Sequence, residues 1–174
     1  MLTFAEFEAV APEIAAPIRA KLEDKGLCFL ATLRRDGSPR ISPLEVSFLQ
    51  DGLYVGSMPG ATKARDLQRD PRCALLTPIT DKDDLSGEGK AFLHAIEITD
   101  PARARELLVQ AVEGTDDMDI DDFGDDSHMF ELRVTGAAWQ RVEDDTWVTT
   151  SWVEGQAVRH RRRDGASGEV VEVG

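Results

Sequence analysis

The 174-residue chain holds only two cysteines, one tyrosine and three histidines, and its 20 basic residues are outnumbered by 33 acidic ones. Each scarcity excludes something. Two thiols cannot build a disulfide framework, and without clustered histidines they make a poor zinc site. Cys28 and Cys73 both stand in apolar runs, which reads as buried free thiols in a reducing compartment. A formal net charge of −13 argues against nucleic acid, whose phosphates meet repulsion over most of such a surface. No apolar run approaches the roughly 18 residues of a membrane span, so no membrane partner is expected. The first residues, MLTFAEFEAVAPE, carry acids where a secretory signal carries bases. The expectation is a cytoplasmic protein.

Chemical signatures are equally sparse. There is no P-loop, no Ser-His-Asp pattern and no GxGxxG opening a helix. The acidic run Asp116 to Asp126 fails as a calcium loop: counted from Asp117, an EF-hand wants Gly at 122 and Glu at 128, and finds Asp and His. It reads as a solvated acidic loop over 116–127. His94 and His128 begin or interrupt apolar strands, where a hydrogen-bonded structural histidine is the usual outcome.

What is present is a core and a rhythm. Hydrophobic residues make up 41% of the chain, enough for one domain spanning 1–174. Thr3 and Glu6 have capping-box spacing, and Phe7, Val10, Ile14, Ile18 and Leu22 fall on one face, so a helix is predicted over 4–24 within an N-terminal segment 1–25, ended by Gly26. From Leu27 the period becomes two. LCFLATLR, PRISPLEVSFL and LYVGSM read as three strands joined by turns at Asp36-Gly37 and Asp51-Gly52, an antiparallel meander. Pro39 and Pro43 mark the second strand as an edge or a bulge. A short helix, ATKARDLQR, and a strand, RCALLTPI, follow. KAFLHAIEIT is a strand, and Asp100-Pro101 opens another helix. HMFELRVTGAAWQRV and TWVTTSWV are strands, GQAVRHRRR is read as a short last one, and 159–174 as a basic, then flexible tail. Hairpins dominate the order βββαββαβββ, which predicts a mainly β protein with flanking helices, an antiparallel split β-barrel.

Positive charge is gathered locally. Arg34, Arg35 and Arg40 face only Asp36 between Leu33 and Ile41, and Lys63, Arg65, Arg69 and Arg72 face Asp66 and Asp70 between Gly60 and Cys73. In so acidic a chain this reads either as an exposed basic surface or as an anion site, to which Ser57, Thr62 and the amides after Pro59 would add donors at a helix N-terminus.

Three blocks, ATL…DG.PR.SP, DG.LY.GS and KAR.L..DPR.AL, lie in order over roughly residues 27–77 and resemble the pyridoxamine 5′-phosphate oxidase-like family of FMN-binding split barrels. That superfamily includes the deazaflavin-dependent reductases. The resemblance implies a flavin- or deazaflavin-dependent oxidoreductase that passes hydride between FMN (alternatively the deazaflavin coenzyme F420) and a small-molecule substrate. It implies a homodimer with the cofactor at the interface. By the same likeness Arg40 would contact the phosphate or ribityl chain, Ser42 and Pro43 would run beside the ring, Ser57 and Met58 would end the strand that donates to phosphate or ring edge, and Lys63 would bind the phosphate from the helix, with Thr62 beside it as the further cofactor donor at the helix start. No side-chain acid or base is nominated. The alternative implied by the same fold is a non-catalytic binder of flavin, deazaflavin or tetrapyrrole (haem or biliverdin). Glu45 and Val46 stand where many relatives have apolar or aromatic residues. The C-terminal arginine and tryptophan pattern of the vitamin oxidase is not evident, so pyridoxamine phosphate itself is not the expected substrate.

Overall fold

Thr3 Oγ1 accepts from the Glu6 amide at 3.1 Å and Glu6 returns a carboxylate to the Thr3 amide at 2.7 Å, so the predicted capping box forms. The single helix predicted behind it is two, α1 (Phe4–Val10) and α2 (Pro12–Lys25). Pro12 lacks an amide hydrogen and forces the preceding Ala11 out of helical geometry, at φ −141° and ψ 58°. Phe7, Ile14, Ile18 and Leu22 are buried as the period requires, but the break turns Val10 to solvent. Gly26 closes α2 at φ +63°, a left-handed geometry open to glycine at little cost.

In the computed structural model, which describes residues 1–79, 83–113, 123–124 and 126–173, ten strands follow. They are β1 (Leu27–Leu33), β2 (Pro39–Glu45), β3 (Ser47–Leu49), β4 (Gly52–Ser57), β5 (Arg72–Leu76), β6 (Glu88–Glu97), β7 (His128–Glu143), β8 (Thr146–Val153), β9 (Arg159–Asp164) and β10 (Val170–Val173), with helices α3 (Thr62–Arg69) and α4 (Pro101–Val112) between them. All pairings are antiparallel, in the order β10-β9-β8-β7-β6-β5-β1-β2, with β4 on β7 and β3 on β4. This is an open, split barrel; the sheet does not close. Phe4 and Phe7 of α1 pack into it with Phe130 of β7 and with Trp152 of β8 against Phe7, and full burial of each such side chain contributes roughly 1.5–3 kcal/mol.

The predicted meander is interrupted. Its second strand divides at Val46, whose amide donates to Gly26 O at 3.2 Å, so β2 stays on β1 while β3 leaves to form a hairpin with β4. No pairing joins β2 to β4; Tyr54–Ser57 pair with β7 instead. The second turn also differs: the left-handed residue is Gln50, and Gly52 begins β4 with its Cα against the Tyr54 ring, where a Cβ would fall 2.6 Å from Cε2. The C-terminal segment expected as a flexible tail is instead a hairpin. β9 extends the sheet from β8, and β10 pairs with β9 because Val170, Val171 and Val173 supply a strand-forming run. Of the acidic run at 116–127, only 123–124 and 126–127 are among the described residues.

Candidate functional site

The missing β2–β4 pairing leaves an opening, and a hollow of about 640 Å³ occupies it. Pro43, Leu44 and Glu45 of β2 form one wall, Gly56 and Ser57 of β4 the other. The end of α4, at Leu108 and Ala111, closes it from above together with Phe123. Among the described residues its lining is apolar except for two serines, Glu45 and Lys63. Its size lies within the range of about 300–1,000 Å³ typical of small-molecule sites.

Two features of this hollow invite a polar ligand. Ser57 Oγ is buried, without a hydrogen-bond partner among the described residues. Such a hydroxyl costs about 1–3 kcal/mol unless something answers it. Lys63, on the first turn of α3, is half-buried, and its ammonium makes no hydrogen bond or ion pair with a described residue. Its charge is felt at Cys28: burial pushes that thiol up to about 12, Cys73 adds to the shift, and Lys63 opposes both. Cys73 is likewise pushed up to about 12 by burial, and both thiols are free.

A second hollow, of about 650 Å³, lies on the other side of the α3 start and is lined by Arg34, Arg35, Arg40, Thr62, Arg65 and Arg69 with Asp36 and Asp66. Asp66 belongs to the wall rather than to the balance of free charge. It is 3% exposed and receives Arg40 Nε at 2.7 Å, Thr32 Oγ1 at 3.2 Å and Arg69 Nη1 and Nη2 at 3.2 Å. Burial works against its ionisation, yet the hydrogen bonds from Arg40, Arg69 and Thr32 and the charge of Arg40 outweigh that and hold the carboxyl below its ordinary value. Arg69 also donates to Leu33 O. The side chains of Arg34, Arg35 and Arg65 make no hydrogen bond or ion pair with a described residue. The helix start between the hollows is uncapped: Ala61 at the N-cap offers no side-chain acceptor, so the first amides of α3 are left to water or a ligand.

The seven residues singled out from the sequence therefore divide. Pro43, Ser57, Met58 and Lys63 meet around the apolar hollow, Arg40 and Thr62 around the arginine-lined one, and Ser42, half-buried opposite Leu30, lines neither. In the sequence Asp66 counts only as a charge against the neighbouring arginines, since nothing in the spacing says that it is buried. The α4 and Phe123 contribution lay outside the recognised motifs and carried no signal. Among the described residues no three His, Cys, Asp or Glu side chains converge on a metal position. No described helix is long and apolar enough to cross a membrane.

A family model described as pyridoxamine 5′-phosphate oxidase matches residues 14–145. Among solved structures, Campylobacter jejuni ChuZ aligns with TM-score 0.68 at 15% identity, covering 91% of this chain and 65% of its own. HutZ, the heme storage protein from Vibrio cholerae, aligns with TM-score 0.57 at 18% identity over 83% of this chain and 96% of its own. An F420 reductase aligns with TM-score 0.52 at 17% identity over 68% and 94%. At these identities the likeness establishes the shared fold. No curated protein matches the sequence.

Proposed function

Since its residues 14–145 match that family's model, the chain belongs to the pyridoxamine 5′-phosphate oxidase family, and on that premise we propose that it is an oxidoreductase holding a phosphorylated flavin or deazaflavin in the hollow between β2 and β4. The observation that carries this reading is that Lys63 and the buried Ser57 hydroxyl, which has no partner among the described residues, share one largely apolar hollow. When bound, such a ring supplies hydride transfer to or from a substrate stacked on it. The chain's residues supply the setting. Lys63, Ser57 and the uncapped amides of α3 hold the phosphate. Pro43 and Met58 flank the ring, and Leu27, Leu108 and Phe123 exclude water from it.

The arginine-lined hollow bears on which cofactor is held. FMN brings one phosphate, which Lys63 and the α3 amides satisfy. Three unpaired guanidinium groups next door favour a molecule that continues into further anionic groups, as the carboxylate-bearing tail of the deazaflavin does. The haem alternative has less support: among the described residues lining the apolar hollow, Met58 is the one side chain of a type that ligates haem iron.

The same reading includes a homodimer. Ile41, Ala31, Ala74, Phe92, Gly136 and Val153 stand opposite one another in register across six strands, and the large members are exposed, Ile41 by 71% and Phe92 by 54%. This apolar stripe runs on through Phe29 and Leu27 to the rim of the hollow, so a second copy laid on it would also cover the cofactor. Titration of the purified protein with FMN and with coenzyme F420, followed by absorbance and fluorescence, tests the assignment: failure of both to bind removes it.

A further inference from the structure

Glu45 is the one carboxylate among the described residues that line the apolar hollow. It ends β2 opposite Leu27, on the outward face shared with Pro43 and Ile41. No described residue offers its carboxylate a hydrogen bond or an ion pair. On an open surface that would be an ordinary solvated glutamate. Here its neighbours around the hollow include Leu27, Pro43, Met58 and Phe123, and anything seated above them strips water from the carboxylate. A desolvated carboxylate is tolerated only when a cation or strong donors replace the lost water. Lys63, the other charge on this lining, stands on the first turn of α3 and makes no ion pair with Glu45.

We infer that the hollow selects, as its second ligand, a small organic cation with an apolar body, and that Glu45 is the residue that sets this preference. Two other features agree. The net charge of −13 concentrates cations and repels anions around the whole molecule, so an anionic substrate would have to approach against the field. Phe123, on the same lining, is an aromatic side chain, the type to which a cation with apolar substituents is drawn. The inference rests on the flavin reading only for calling this ligand the substrate; the charge preference itself belongs to Glu45 and its surroundings.

The experiment titrates the full chain with benzylamine, benzyl alcohol and benzoate, which match in bulk and differ in charge. Amide NMR shifts of Gly56 and Leu108, both on the lining, report binding. Benzylamine is expected to bind about tenfold tighter than benzyl alcohol, the ratio one charge-assisted hydrogen bond supplies, and benzoate more weakly than either. Glu45→Gln, at an exposed position without partners, should keep the melting temperature and bring benzylamine down to the level of the alcohol. Equal binding of amine and alcohol, a preference that survives in Glu45→Gln, or no shift with any probe would each overturn the inference. Repeating the titration after adding FMN or coenzyme F420 separates the two readings. An amine preference without cofactor binding sinks the oxidoreductase alone, and cofactor binding without the preference sinks the role of Glu45 alone.

Discussion

Arg40 on β2 and Asp66 on α3 are joined by an Nε–H···Oδ2 hydrogen bond of 2.7 Å that ties the open edge of the barrel to the helix beside it. Because the arginine is held by a buried carboxylate, its remaining guanidinium nitrogens are fixed in direction before any anion arrives.

Replacing Asp66 by Asn removes the charge and leaves Arg40 and Arg69 without a counterion. Both arginines are partly exposed, so water recovers some of the loss; the cost should be about 2 kcal/mol, below the 3–5 kcal/mol of a fully buried pair. The native carboxyl is held below its usual value, so its stabilisation is fully present above the unfolded pKa of about 3.9 and is lost as pH falls through the lower folded value. Urea unfolding at a series of acid pH values should show the wild-type curve falling in that window and the Asn variant flatter there.

Ser57→Ala removes a buried hydroxyl that has no partner among the described residues. The ligand-free protein should be as stable as wild type or slightly more so, whereas cofactor affinity should fall by about 1 kcal/mol, roughly fivefold. A thermal melt with and without FMN reads both halves. A loss of stability without ligand would mean that the hydroxyl serves the fold.

Arg34, Arg35 and Arg65 divide the two candidate cofactors. Changing all three to Ala should weaken coenzyme F420 by at least about tenfold, while FMN is affected far less. Parallel loss of both would place the phosphate itself in the arginine-lined hollow.

Ile41→Asp puts a charge in the middle of the exposed cross-strand stripe. Light scattering after size exclusion should give a dimer for wild type and a monomer for the variant, with the fold intact by circular dichroism, since Ile41 is not in the core. A wild-type monomer at micromolar concentration would end the proposal.

Cys28 and Cys73, both pushed up to about 12 by burial, carry almost no thiolate at pH 8. A thiol-specific disulfide reagent should label the native protein slowly and both thiols rapidly once urea unfolds it. Fast labelling of the native chain would show that the strands carrying them open readily.

The elements that local chemistry dictates were legible before the structure. The Thr3–Glu6 box, the αL glycine at 26, the Asp100-Pro101 helix start and the edge character of a strand with two prolines all depend on neighbours in the chain. What long-range pairing decides was not. Nothing near Val46 tells whether its amide will meet Gly26, yet that bond ends β2 and frees β4 for β7, some seventy positions onward in the chain (Tyr54 opposite Glu131). The candidate site followed the same division. Lys63, Ser57, Met58 and Pro43 were found through motif likeness and do converge, whereas the separation of Arg40 from Lys63 into two hollows depends on the burial of Asp66, which only packing reveals.

Pro39 and Pro43 fall four apart on β2, opposite Leu33 and Phe29. A ring nitrogen is tolerated in a ladder only where it faces away from the neighbouring strand, so both lie along the free border of β2. That border is poor in hydrogens and rich in carbonyl oxygens. It resists being zipped shut by a passing strand, and a molecule settling against it must bring donors of its own.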